Sequence, residues 1–264
     1  MDFSTYTTMR FERRGRILHA EFNRPDALNA IDQVTHKDLA RLFGEVAADP
    51  QTAVLVLSGA GKAFSAGGDL DYIQHLIESP GDFFDDIGDI KKIVFSILDC
   101  PKPIIAKLHG HAIGLGATIA LFCDIVFAAP GVKIADPHVK LGFTAGDGGA
   151  VIWPHLIGHA RAKEFLMTGR PILAEEAERI GLINRVVPLE SLDAAVEELA
   201  QELGNGPARA IQWTKMTVNI GLKAQAQAVM DASAAYEALS NLTSDHREAV
   251  RALREKRPPR FTGD

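Results

Sequence analysis

Cysteine is almost missing from this chain, which holds two, Cys100 and Cys123. One precedes Pro101 and the other lies in an apolar segment, without metal-ligand spacing or a disulfide framework, so both are expected to be buried and reduced. No metal site is expected. Positive charge is also in short supply, with 28 Lys and Arg against 34 Asp and Glu and a formal net charge of -6. That balance argues against nucleic acid as a partner, because phosphate-backbone binding needs a basic face. No apolar run reaches the roughly 20 residues that a bilayer demands, and "MDFSTYTTMRFERRGR" lacks the positive start and apolar run of a secretory leader. The expectation is a cytoplasmic protein with no membrane partner. Three signatures of nucleotide and nucleophile chemistry are absent as well. "GHAIGLG" has the wrong spacing for a dinucleotide fingerprint, no phosphate loop ends in Gly-Lys-Ser/Thr, and Ser65 lacks the G-x-S-x-G elbow of an esterase.

What is present suffices for a large core: 264 residues, 47% of them hydrophobic. Residues 1–190 alternate β-like runs with helical patterns, and 191–264 read as helix almost throughout. "RILHAEF", "TAVLVLS", "KPIIAKL" and "DIVFA" are expected strands. "AIDQVTHKDLARLFGEVAADP" is an expected helix, with Asp32 as its N-cap and Pro50 beyond its end. "IESPGDFFDDIGDI" mixes Pro, Gly and acidic residues with weak periodicity and is expected to be a mobile surface connection. Four helices are expected after Leu192, broken at "GNGP", at Gly221 and at polar residues. The fold class is therefore α/β with a helical C-terminal region.

Two glycine-bearing corners follow strands. "SAGGDL" leaves "TAVLVLS" through Gly67 and Gly68, where a chain without side chains exposes its N–H groups. "HGHAIGLGATIAL" leaves "KPIIAKL" and enters a helix, so its amides lie near a positive helix end. Converging amides stabilise a developing oxyanion, and tight strand exits alone also account for such glycines.

With these corners, the sequence resembles the crotonase superfamily of enoyl-CoA hydratases and isomerases over nearly its whole length. "FNRPDALNAID", "SGAGKAFSAGGDL", "PIIAKLHGHAIGLGATIALFCDIVFA", "RAKEFLMTGRPILAEEAERIGLINRVV" and "EAVRALREKRPPRF" occur in the family's order and spacing. The resemblance implies a spiral of β-β-α turns, a helical C-terminal region for oligomerisation and closure over CoA, and a homotrimer or dimer of trimers. It implies an acyl-CoA thioester as substrate, with CoA arriving as part of it and no separate cofactor. By matching positions, the oxyanion hole falls on the amides of Gly68 and Leu115, with Gly114 or Gly116 as other possible donors. The implied substrate and CoA contacts are Arg24, Ala27, Leu28, Ala66, Gly67, Asp69, Leu70, Gly116, Lys256, Arg257 and Phe261.

The family's two catalytic glutamates are replaced here by Thr118 and His138. Asp147 in "TAGDGGA" is the main candidate acid/base, with a helix N-cap as its simpler role. His138 is its possible assistant. His109 and His111 flank the second corner with structural roles expected, and Glu237 is a remote candidate from the C-terminal helices, with an exposed helix acid as its simpler role. The leading expectation is a hydratase or isomerase acting through a thioester enolate. The alternatives are a carbon-carbon bond hydrolase of the same superfamily and a non-catalytic acyl-CoA binding protein.

Overall fold

A computed structural model describes residues 1–264. The chain opens with the hairpin β1 (Met9–Arg14) and β2 (Ile17–Phe22), followed by α1 (Gln33–Ala48). Asp32 caps α1 as expected, its carboxylate accepting the Thr35 N–H at 2.8 Å. Next come β3 (Val54–Gly59), β4 (Ala63–Ser65), α2 (Leu70–Glu78) and α3 (Pro80–Asp99). A second turn has β5 (Ile104–Leu108), β6 (His111–Ile113) and α4 (Leu115–Phe122), and a third has β7 (Ile125–Ala128), β8 (Lys133–Ala135) and α5 (Gly149–Ile157). The chain continues through α6 (His159–Thr168), β9 (Ile172–Leu173), α7 (Ala174–Arg179) and β10 (Arg185–Val186). It ends in α8 (Leu189–Asn205), α9 (Ala208–Asn241) and α10 (Ser244–Arg254).

Each turn contributes one strand to each of two sheets, which is the expected spiral of β-β-α turns. The six-stranded sheet runs β1-β2-β3-β5-β7-β10 and the four-stranded sheet β4-β6-β8-β9. Strands β3, β5 and β7 are parallel, and β3 is buried at every position, as both-faced burial requires. A single cluster of 58 buried residues forms the main core, and Leu192, Val196, Ala200, Leu222, Ala226 and Met230 of the C-terminal helices join it. Cys100 and Cys123 are buried and unbonded.

Two expectations about local structure fail. The expected mobile connection is helical, forming the end of α2 and most of α3. Pro80 occupies the first turn of α3, where the missing N–H costs nothing, so the residue that suggests a break starts a helix. Gly221 interrupts nothing either: α9 runs unbroken for 34 residues with Gly221 inside it. One glycine in a helix costs about 1 kcal/mol, which tertiary packing readily offsets.

The small sheet sets the position of the site. Strands β4, β6 and β8 pair in parallel, so their carboxyl ends lie along one edge. Chain leaving β4 enters Ala66-Gly67-Gly68, chain leaving β6 enters Gly114-Leu115, and chain leaving β8 enters Asp136-Pro137-His138. A crevice at the carboxyl ends of parallel strands is the usual place for a ligand in α/β folds.

Candidate active site

The two glycine corners meet at that edge. Gly67 has φ +86°, and a β-carbon there would lie 2.8 Å from the Ile113 carbonyl oxygen and 3.6 Å from the Gly114 α-carbon. Glycine is thus required by both backbone conformation and close approach. Leu115 is the first residue of α4, so its N–H has no carbonyl partner within the helix. Neither the Gly68 nor the Leu115 amide donates to a protein acceptor. Gly116 has a different task, since a β-carbon there would press on the Ser65 side chain at 2.5 Å, and it stands outside the cavity lining.

The two corners border a cavity of about 830 Å³, with 16 hydrophobic residues among the 31 that line it. Ala27, Ala66, Gly67, Gly68, Asp69, Leu70 and Leu115 all line it. The "FNRPDALNAID" segment is fastened to the first corner by Ala66 N–H to Leu28 O at 3.0 Å and Ile31 N–H to Gly67 O at 2.7 Å. Asn29, which sequence reasoning missed, is buried and donates to Ala60 O and Ala63 O, both at 2.8 Å. Arg24 is turned toward Asp32 at 3.2 Å and Asp69 at 3.3 Å, and stands outside the cavity lining, as does the half-exposed Leu28. At the C-terminal end Arg254 and Arg257 line the cavity, whereas Lys256 and Phe261 are exposed beyond it. Arg257 is held by Glu248, with its second nitrogen at 2.9 Å.

Four titratable side chains cluster at one side of the cavity, and three of them, His138, Asp147 and Glu237, line it. His138 Nδ1 donates to Asp136 Oδ1, its Nε2 lies 3.4 Å from Asp147 Oδ2, and Glu237 Oε1 is 3.9 Å from the same Nε2. The N-cap of α5 is Gly148, and Asp147 lies one residue before it, its Oδ1 accepting the Gly149 N–H at 3.3 Å and the Thr118 hydroxyl at 3.1 Å. Its Oδ2 remains without a hydrogen-bond partner, as does Glu237 Oε2. Thr118 therefore anchors the aspartate.

The glycines around Asp147 now have a physical explanation. A β-carbon at Gly146 would meet Glu237 Oε2 at 2.7 Å, and one at Gly149 would collide with the Asp136 carboxylate. These glycines make room for two acids. Glu237 is 5% exposed and lines the cavity, which corrects the expectation of an exposed helix acid. Asp136, buried at 3% exposure, was also missed; its place two residues before His138 in "ADPH" is the only signal in the sequence. His109 and His111 serve local structure: His109 Nε2 bonds Gly61 O at 3.0 Å and His111 Nδ1 accepts the Lys133 N–H at 3.0 Å.

The cluster has a distinctive charge arrangement. Burial alone would push the His138 imidazole down, but the neighbouring charges of Asp136 and Asp147 hold it well above 6.5. Burial raises Asp147 above its usual 3.8, with the His138 charge opposing. Burial likewise lifts the Glu237 carboxyl to about 8, so it carries a proton at neutral pH. Asp136, His138 and Asp147 also place potential metal-ligand atoms within 4.8 Å of one another. With Nδ1 bonded to Asp136, Nε2 is the ring nitrogen that faces Asp147 and Glu237.

Comparison with known proteins identifies the family. Residues 12–264 match the model of the enoyl-CoA hydratase/isomerase family. The chain is 33% identical to the short-chain-enoyl-CoA hydratase of Clostridium acetobutylicum, over 93% of this chain and 94% of that protein. It is 32% identical to the 1,2-epoxyphenylacetyl-CoA isomerase of Escherichia coli, over 94% and 95% of the two chains. The crystal structure of an enoyl-CoA hydratase/isomerase from Mycobacterium paratuberculosis superposes with a TM-score of 0.88 at 35% identity, covering 94% of this chain and 98% of that one. With the spiral fold, the paired glycine corners and these similarities together, the chain belongs to the enoyl-CoA hydratase/isomerase (crotonase) superfamily and is an acyl-CoA enzyme of that type.

Proposed function

We propose that the protein hydrates an enoyl-CoA thioester, with Asp147 and Glu237 replacing the two glutamates that typical family hydratases use. The observation that carries this reading is that both acids have a buried oxygen without a hydrogen-bond partner, in the wall of the cavity bordered by Gly68 and Leu115. Two carboxyl groups in different protonation states are what hydration requires: a base for water and an acid for the α-carbon.

In this reading the thioester oxygen accepts the Gly68 and Leu115 amides, which stabilise negative charge there by about 3–4 kcal/mol per donor. Asp147 takes a proton as water oxygen bonds to the β-carbon, and the electron pair of the double bond moves into the enolate. Glu237 then protonates the α-carbon, giving a β-hydroxyacyl thioester. His138, within 4 Å of both acids, returns the proton from Asp147 to Glu237. The same groups suit isomerisation, in which Asp147 withdraws a proton from one carbon and restores it to another. The exposed Trp213, Val218, Ile220, Tyr236 and Leu239 of α9 support a homotrimer or dimer of trimers, testable by sedimentation. No helix is long and apolar enough to cross a membrane.

The test is loss of the conjugated thioester absorbance on adding crotonyl-CoA to wild type, Asp147→Asn and Glu237→Gln. Turnover abolished in both variants supports the reading. A second reading, carbon-carbon bond hydrolysis, is favoured by the Asp136–His138 hydrogen bond, which resembles pairs that orient a water-activating imidazole. It requires turnover of a β-ketoacyl thioester and none of crotonyl-CoA.

A further inference from the structure

The cavity has a second polar wall, built from elements that do not carry the acid/base cluster. His36 of α1, Tyr72 of α2 and Asp86 of α3 all line it, alongside Ile31, Ile73 and Ile90. His36 is 5% exposed and Asp86 7% exposed. The Tyr72 hydroxyl donates to Asp86 Oδ2, whereas His36 Nδ1 is buried without any hydrogen-bond partner. A cavity serving only an alkyl chain gains nothing from an unpaired imidazole nitrogen, since buried polar groups are normally satisfied.

We propose that this wall receives a hydroxyl group on the acyl chain, so that a hydroxyl-bearing acyl thioester is preferred over a plain alkyl one. The proposal rests on the acyl-CoA reading above and adds the substrate class. A hydroxyl both donates and accepts, and it pairs with His36 in either neutral tautomer. Burial pushes His36 down to about 4, so no imidazolium is present to attract a terminal carboxylate. A terminal ammonium is also disfavoured. The Asp86 carboxyl already accepts the Tyr72 hydroxyl and Asp89 is paired with Lys92 at 2.8 Å, so neither is free to pair with a buried cation.

Binding of saturated acyl-CoA esters tests this without depending on turnover. Calorimetric titration would compare each plain ester from butanoyl-CoA to decanoyl-CoA with its terminally hydroxylated counterpart. The proposal expects the hydroxylated ester to bind at least about tenfold more tightly at one or more lengths, the equivalent of a single net hydrogen bond. It expects His36→Leu and Tyr72→Phe to lose that ratio, which is measured within each protein and is insensitive to the folded fraction. Plain esters binding as well as or better than hydroxylated ones at every length overturns the proposal and leaves the acyl-CoA reading standing. A preference unchanged in both variants overturns the assigned wall. Failure of every ester to bind overturns the acyl-CoA reading and this proposal with it.

Discussion

His138 Nε2 faces Asp147 Oδ2 at 3.4 Å while the opposite ring nitrogen, Nδ1, is tied to the buried carboxylate of Asp136. The imidazole is thereby oriented and placed between acids. Asp136 acts through it, as a positioning residue.

Asp136→Asn removes one of the charges that hold His138 above 6.5, so the His138 pKa falls and the alkaline limb of the kcat/KM profile moves to lower pH. A drop in activity at neutral pH of roughly 10–100-fold is expected, on the scale of lost positioning at such sites. Steady-state kinetics across pH checks it. An unmoved alkaline limb with unchanged rate contradicts the relay.

Thr118→Val keeps the side-chain shape but removes a donor to Asp147. That bond lowers the Asp147 pKa, so its loss raises the pKa further and shifts the acid limb to higher pH, by up to about one unit for a net bond of about 1 kcal/mol. The same pH profiles read this out, with KM changing little.

Glu237 also links stability to pH. Its folded-state pKa of about 8 lies above the ordinary 4.5, so the favourable proton uptake is fully present below 4.5 and lost as pH rises through about 8. Glu237→Gln lacks this loss. Its stability relative to wild type is expected to rise between pH 4.5 and 8, measured by urea unfolding at several pH values. A pH-independent difference contradicts a buried protonated Glu237.

The sequence makes some of this site legible and hides the rest for physical reasons. The glycine corners are legible from short local motifs after strands, whereas the candidacy of Asp147 and His138 follows from the family positions that the resemblance aligns them with. Glu237 reaches the site only because Gly146 lets α9 approach, a tertiary contact without local signature. A single carboxylate in "AAYEALS" reads as a solvated helix face. Helix α3 was hidden because Pro80, Gly81 and five acidic residues blur its periodicity, although its buried face of Phe83, Ile90, Ile93, Val94 and Ile97 is regular once packed. His36, on a helix whose existence was clear, gives no sign that its ring faces a cavity.

Gly67→Ala tests the meeting of the two corners. The substitution forces a side chain into a positive-φ position and against Ile113, costing about 1–3 kcal/mol and separating the two amides. Thermal unfolding should show the destabilisation, and kcat should fall more than the affinity for CoA esters. Full activity in the variant contradicts an oxyanion hole at this corner.

The most direct test is the initial rate of crotonyl-CoA hydration in wild type and Asp147→Asn, with acyl-CoA binding measured on the same samples. The asparagine keeps an oxygen for Thr118 and Gly149, so the fold and binding should persist. The account predicts wild-type turnover that falls by about 100-fold or more in the variant, the usual contribution of a positioned acid/base. Equal rates in the two proteins, or wild type that binds CoA esters without hydrating crotonyl-CoA, would contradict it.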